Sequence, residues 1–166
     1  MHIPDLDKSV TALVETLKQK KLTIATAESC TGGLLSEKIT SVSGASEVFE
    51  RGICTYSERI KHEFLDVPME EIEKYDVVSE QVAHSMVRGL KERSGADICI
   101  SVTGIAGPNG GTPEKPVGTV YIGFDVCGER FVELPKLWEL EDRSRENIRR
   151  SAAAFAFDTV LKRLEK

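Results

Sequence analysis

The stretch LTIATAESCTGGLLSEKI, residues 22–39, decides the fold class. Leu22 to Ala27 is apolar and rich in β-branched residues, the composition of a short buried strand. Ser29 to Gly33 then concentrates hydroxyls and glycines and reads as a turn. Beyond it Leu34, Leu35 and Ile39 fall at helical spacing. A buried strand that turns directly into a helix is the building unit of a layered α/β protein.

The same alternation continues on both sides. Upstream, Val10, Leu13, Val14 and Leu17 predict an amphipathic helix over about 5–20. Downstream, a strand is expected from Val48 to Tyr56, then helical residues up to Val67. Pro68 opens a short helix with Met69 and Ile72. Ser79 is a candidate N-cap for a long helix carrying Val82, Ala83, Met86, Val87 and Leu90. Asp97 to Thr103 is an apolar strand, and Gly104 to Pro116 is a Gly/Pro-rich loop. Val117–Val126 and Arg130–Leu134 predict two strands joined at Cys127-Gly128. A last helix is expected over about 142–164, with Ile148, Ala152, Phe155 and Ala156 on one face. The expectation is one domain over residues 1–166: three α/β/α layers around a mixed sheet.

Composition limits the function classes. The chain has 166 residues, 40% of them apolar and 30% charged, as in soluble globular proteins. Its net charge of −5 argues against nucleic acid as a partner, because phosphate contacts need a basic face. No apolar run approaches the roughly 20 residues of a membrane helix, and Met1 to Lys8 lacks a signal core. A cytoplasmic protein is expected, with no membrane contact. Cys54, Cys99 and Cys127 lie in strand-like stretches and read as small core residues. The histidines His2, His62 and His84 share no ligand spacing with the cysteines, so no metal site is expected.

Three segments carry candidate chemistry, each at the end of an expected strand, where open α/β sheets bind ligands. In the first, Thr26 to Gly33, Ser29 has the setting of an exposed nucleophile with backbone donors nearby for an oxyanion. Gly32 and Gly33 allow close approach of a ligand, and N–H groups at the helix start favour an anion. Ser29 or Thr31 fits equally well as a helix cap, and Cys30 is a rival nucleophile. In the second, Thr55 to Lys61, a buried Lys61 would serve as a base, since a Ser–Lys pair replaces histidine in some hydrolases. An unburied Lys61 would be a surface charge, and Tyr56 a half-buried strand residue. The third, Ser101 to Pro113, offers a nest of loop amides for a phosphate, supported by Thr103 and Thr112, or is simply a long turn. Glu28 either orients the first turn or holds Lys61. The arginines from 143 to 150 either form a solvated face or supply one bidentate phosphate contact.

Together these phrases resemble the CinA C-terminal domain family. The matching stretches are AESCTGG (27–33), FERG (49–52) leading into TYS (55–57), VSE (78–80), SGAD (94–97), VTGIAGP (102–108) and GTPEKPVGTV (111–120). The resemblance runs from about residue 8 to 163. It implies an amidohydrolase that converts nicotinamide mononucleotide to nicotinate mononucleotide and ammonia without cofactor or metal. By the same resemblance Ser29 is the nucleophile, Lys61 the base and Tyr56 their neighbour. Thr31, Gly32, Gly33, Ser46, Thr103, Gly104, Ala106 and Gly107 line the substrate site, and Arg143 matches an arginine at the start of the last helix. Many relatives carry an additional N-terminal domain with pyrophosphatase-like activity, which is not expected here. The competing reading is a pyridine-nucleotide-binding module without catalysis, or an accessory protein of competence. Phe155, Phe157, Val160, Leu161 and Leu164 give the last helix more apolar surface than one face needs, so a homodimer or higher oligomer is expected.

Overall fold

The computed structural model describes residues 3–165. Five strands form one sheet in the order β2-β1-β3-β4-β5. They are β1 (Ile24–Glu28), β2 (Phe49–Cys54), β3 (Ile98–Gly104), β4 (Val120–Val126) and β5 (Glu129–Glu133). β1 runs parallel to β2 and β3, whereas β4 is antiparallel to both β3 and β5. The sheet is mixed, as its sequence pattern predicts. All five residues of β1 are buried, which places it in the middle of the parallel section. β2 lies at an edge and is largely exposed.

Side chains alternate across the sheet and sort the helices into two layers. Ile24, Ile98, Ile100, Val102 and Ile122 pack with α1 (Leu6–Lys20), α2 (Leu34–Thr40) and α6 (Arg145–Leu164). Ala25, Ala27 and Cys99 point the other way, towards α3 (Glu58–Leu65), α4 (Met69–Tyr75) and α5 (Glu80–Ser94). The result is the expected α/β/α arrangement. Phe157 and Val160 are buried, while Phe155, Leu161 and Leu164 pack against the same core. The apolar surplus of the last helix is therefore used within the chain, and that helix gives no argument for a partner.

Caps set several boundaries. Asp5 accepts from the Lys8 amide and starts α1, and Ser79 accepts from the Val82 amide at the head of α5. The last helix begins three residues later than expected, because Ser144 is the cap and accepts from the Asn147 amide. β4 begins at Val120, not Val117: the Gly118 amide is drawn off to the Ile105 carbonyl across the loop. Two cysteine expectations fail. Cys54 is exposed on the edge strand, and Cys127 is exposed in the hairpin turn with φ of 51°.

α5 crosses the end of α3 at backbone distance. A Cβ on Gly89 would stand 1.9 Å from the Leu65 carbonyl oxygen. Gly89→Ala is therefore expected to force the two helices apart, costing about 3 kcal/mol, or roughly 10 °C in Tm. An unchanged thermal melt would show that the crossing is loose.

Candidate active site

The carboxyl ends of β1, β2 and β3 meet at one cleft of about 280 Å³. β1 delivers Ser29, whose amide is anchored to the Val102 carbonyl of β3 at 2.9 Å. β2 delivers Thr55 and Tyr56 and then turns into α3, capped by Ser57. Lys61 sits one turn inside α3. Helical side chains lean towards the N-terminus, so the lysine reaches back over its own cap into the cleft wall.

Lys61 is fully buried. Its Nζ lies 3.0 Å from Ser29 Oγ, 2.7 Å from the Thr55 carbonyl oxygen and 3.4 Å from that of Tyr56. No carboxylate pairs with it among the described residues. Burial pushes its pKa down to about 8, opposed in part by the negative charges of neighbouring groups such as Glu58. As an ammonium, below that value, Lys61 donates to all three oxygens. As a neutral amine, above it, two hydrogens suffice for the carbonyls and the lone pair is left for the Ser29 hydroxyl. Lys61 is thus no surface charge.

Glu28 resolves the role of the glycine turn. It is fully buried, and one carboxylate oxygen accepts from the amides of Gly33 and Leu35, both at 3.0 Å. The other oxygen accepts from the Ser36 amide and hydroxyl, both at 2.9 Å. The expected anion at the start of α2 is therefore the protein's own carboxylate, and no ligand has to supply it. Gly32 and Gly33, at φ of 59° and 96°, make the tight left-handed return that brings these amides round. Glu28 orients the turn and makes no bond to Lys61. α2 has no side-chain cap, so Ser29 and Thr31 are free of that duty.

The turn also leaves two amides unspent. Ser29 N–H goes to Val102, Gly32 N–H to the Ser29 carbonyl, Leu34 N–H to the Thr31 carbonyl, and those of Gly33, Leu35 and Ser36 to Glu28. The N–H groups of Cys30 and Thr31 have no acceptor among the described residues. Glu28→Gln would set an amide NH₂ against one of these donor pairs. It is expected to cost about 3 kcal/mol of stability and, by shifting the turn, about a hundredfold in turnover. Thermal melts and single-substrate kinetics check both.

Cys30 faces the cleft, but burial raises its thiol pKa to about 12, more than the nearby Arg145 charge lowers it. At neutral pH that keeps the thiol protonated, which favours Ser29 over Cys30 as the nucleophile.

Of the expected lining residues, Tyr56, Thr103, Gly104, Ala106 and Gly107 do meet Ser29 at the cleft. The Thr103 hydroxyl donates to the Val77 carbonyl at 2.8 Å, so its proton holds the segment before α5 in place. Thr112 accepts from the Lys115 amide, away from the cleft. Thr31 is buried behind the turn; its carbonyl accepts from Arg149 at 2.6 Å and its hydroxyl has no partner. Gly32 and Gly33 likewise shape the turn and do not line the cleft.

Two residues lie elsewhere. Ser46 is exposed in the short turn Ala45–Glu47 that leads into β2. Because β1 and β2 are parallel, with Ile24 opposite Phe49, this turn sits at the amino end of the strands, the far edge from Ser29. Arg143 precedes the Ser144 cap and lines a separate depression with Pro108 and Thr112. The arginine in the cleft is Arg145, in the first turn of α6. It donates to the Gly107 carbonyl at 2.8 Å and to the Tyr56 hydroxyl at 2.9 Å, bridging the mouth. Ile105, Asn109 and Gly110 of the Ser101–Pro113 segment complete the walls together with Val77 and Val78, which were not expected. The valines carried no chemical signal. Arg145 was visible only as one of several arginines. Among the described residues no cluster of His, Cys, Asp or Glu is placed to hold a metal, and no helix is long and apolar enough to cross a membrane.

Fold and cleft together define an α/β protein with a buried Ser–Lys pair at the carboxyl edge of its parallel strands. The chain belongs to the CinA C-terminal domain family, whose model matches residues 6–164. It is 45% identical over 150 residues to the nicotinamide-nucleotide amidohydrolase PncC of Enterobacter agglomerans, covering 90% of each protein. It is 47% identical over 152 residues to a CinA-like protein of Kosmotoga olearia, where it spans only 36% of the relative's length. The crystal structure of the competence/damage inducible protein CihA from Agrobacterium tumefaciens superimposes with a TM-score of 0.90 at 33% identity, over 100% of this chain and 99% of that one.

Proposed function

We propose that this chain hydrolyses the carboxamide of nicotinamide mononucleotide, giving nicotinate mononucleotide and ammonia. The observation that carries the reading is the fully buried Lys61 amine 3.0 Å from Ser29 Oγ, held by two carbonyls and no carboxylate. A binding module needs a shaped cleft but not a desolvated base on a hydroxyl. The similarity to a protein named as a nicotinamide-nucleotide amidohydrolase supplies the substrate class.

The chemistry follows from the contacts. Neutral Lys61 takes the Ser29 proton as Oγ attacks the carboxamide carbon. The free amide of Cys30, which lines the cleft beside Ser29, receives the tetrahedral oxyanion, such a donor being worth about 3 kcal/mol. The lysine ammonium then protonates the leaving nitrogen, and ammonia departs from an acyl ester on Ser29. Water, deprotonated by the same lysine, cleaves that ester and restores the hydroxyl. Arg145 sets a positive charge in the mouth of the cleft for the substrate's phosphate.

The test is ammonia release from nicotinamide mononucleotide by the purified protein. Turnover supports the reading. Binding of the nucleotide by folded protein with no ammonia released would leave a binding module.

A further inference from the structure

Deamidation uses one arginine of α6, but the helix begins with three. Arg145, Arg149 and Arg150 line a depression of about 390 Å³ together with Leu34 and Glu146. It adjoins the catalytic cleft, because Arg145 borders both. Two of the guanidinium groups are already fixed by neutral oxygens: Arg145 by Gly107 and Tyr56, Arg149 by the Thr31 carbonyl. Arg150 has no hydrogen-bond partner among the described residues. None of the three forms an ion pair there, not even with Glu146 beside them. Three uncompensated cations in the first two turns of a helix oppose one another, and Arg145, in the first turn, also opposes the helix dipole. In a chain of net charge −5 this is a local inversion. It is the arrangement that an anion relieves.

We propose that the depression takes the second phosphate of a pyrophosphate-bearing nucleotide, which competes with the mononucleotide for the cleft. The inference rests on the reading that Arg145 draws the mononucleotide's own phosphate. Arg149 follows Arg145 by one turn, roughly 6 Å along the axis. That is further than the oxygens of one phosphate reach and within the span of two linked phosphates. Arg145 would hold the first, and Arg149 and Arg150 the next, as forked donors.

Isothermal titration of the wild-type protein with inorganic pyrophosphate, and separately with orthophosphate, tests this. The variant is Arg150→Gln, since that side chain makes no hydrogen bond or ion pair among the described residues. Pyrophosphate is expected to bind about tenfold more tightly than orthophosphate, and Arg150→Gln to lose about tenfold for pyrophosphate alone. Pyrophosphate should also raise KM for the mononucleotide at constant kcat, with kcat and KM of Arg150→Gln unchanged in its absence. Equal affinity for the two anions, or equal pyrophosphate binding by wild type and variant, overturns the inference and leaves deamidation untouched. Because titration needs no turnover, tight pyrophosphate binding by a protein that releases no ammonia would sustain this site while removing the amidase reading.

Discussion

Ser29→Ala protein is expected to release ammonia at least about 10⁴-fold more slowly than wild type, with nucleotide binding retained. The hydroxyl is the atom to which the buried Lys61 amine is aimed, 3.0 Å away. Stability should change little. Ser29 Oγ has no other hydrogen-bond partner among the described residues, and the backbone bond to Val102 is independent of the side chain. Cys30→Ala provides the contrast, since a thiol with pKa near 12 is not an effective nucleophile. Full activity in Ser29→Ala, or its loss in Cys30→Ala with binding and folding intact, would move the chemistry to the neighbouring residue.

Lys61→Met should be as inactive as Ser29→Ala, and the double variant no worse, because a nucleophile and its base fail as a unit. In the wild type, kcat/KM should climb about tenfold per pH unit below 8 and level off above it, as the amine gives up its proton. A profile flat from pH 6 to 9 would exclude Lys61 as the base. Stability offers an independent check. The unfolded chain holds the lysine proton up to its ordinary 10.5, whereas the folded chain releases it near 8. Between those values the unfolded state binds more protons, so wild-type stability rises with pH. Below 8 the folded protein carries the full penalty of a buried ammonium. The unfolding free energy of wild type relative to Lys61→Met is therefore expected to grow by roughly 3 kcal/mol from pH 7 to above 10.5. Parallel denaturation curves at several pH values measure it.

Much of this was readable from local chemistry. The strand, glycine turn and helix from 22 to 39 announced both the fold class and Ser29, because period and turn composition are short-range signals. Ser79 was found for the same reason. Lys61 was ambiguous, since SERIKHEF looks like a solvated run. The signal was the spacing of Lys61 and Leu65, four apart and both buried on the inner face of α3, while Arg59 and Glu63 pair outside. Arg145 depended on which residue caps α6. Taking Asp142 as the start put Arg143 in the first turn, whereas the Ser144 cap puts Arg145 there. Ser46 and the head of β4 failed for a different reason. Their positions follow from strand direction and from the Gly118–Ile105 bond across a loop, and no local pattern encodes either. Glu28 was correctly singled out, but its four donors lie up to eight residues away, in a turn whose path only the fold defines.

The contacts of the cleft also differ in how far apart their partners lie along the chain. Lys61 meets Ser29 across 32 residues, within two neighbouring strand–helix units. Arg145 meets Tyr56 across 89, and Arg149 reaches Thr31 across 118. Local opening follows burial, and residues 141–146, which carry Arg145 into the cleft mouth, are exposed, whereas Ser29 and Lys61 are buried. The Ser–Lys pair thus belongs to a more durable portion of the protein than the arginine that bridges the mouth. Mild heating or dilute urea should erode affinity for the nucleotide before it erodes the rate at which bound nucleotide reacts.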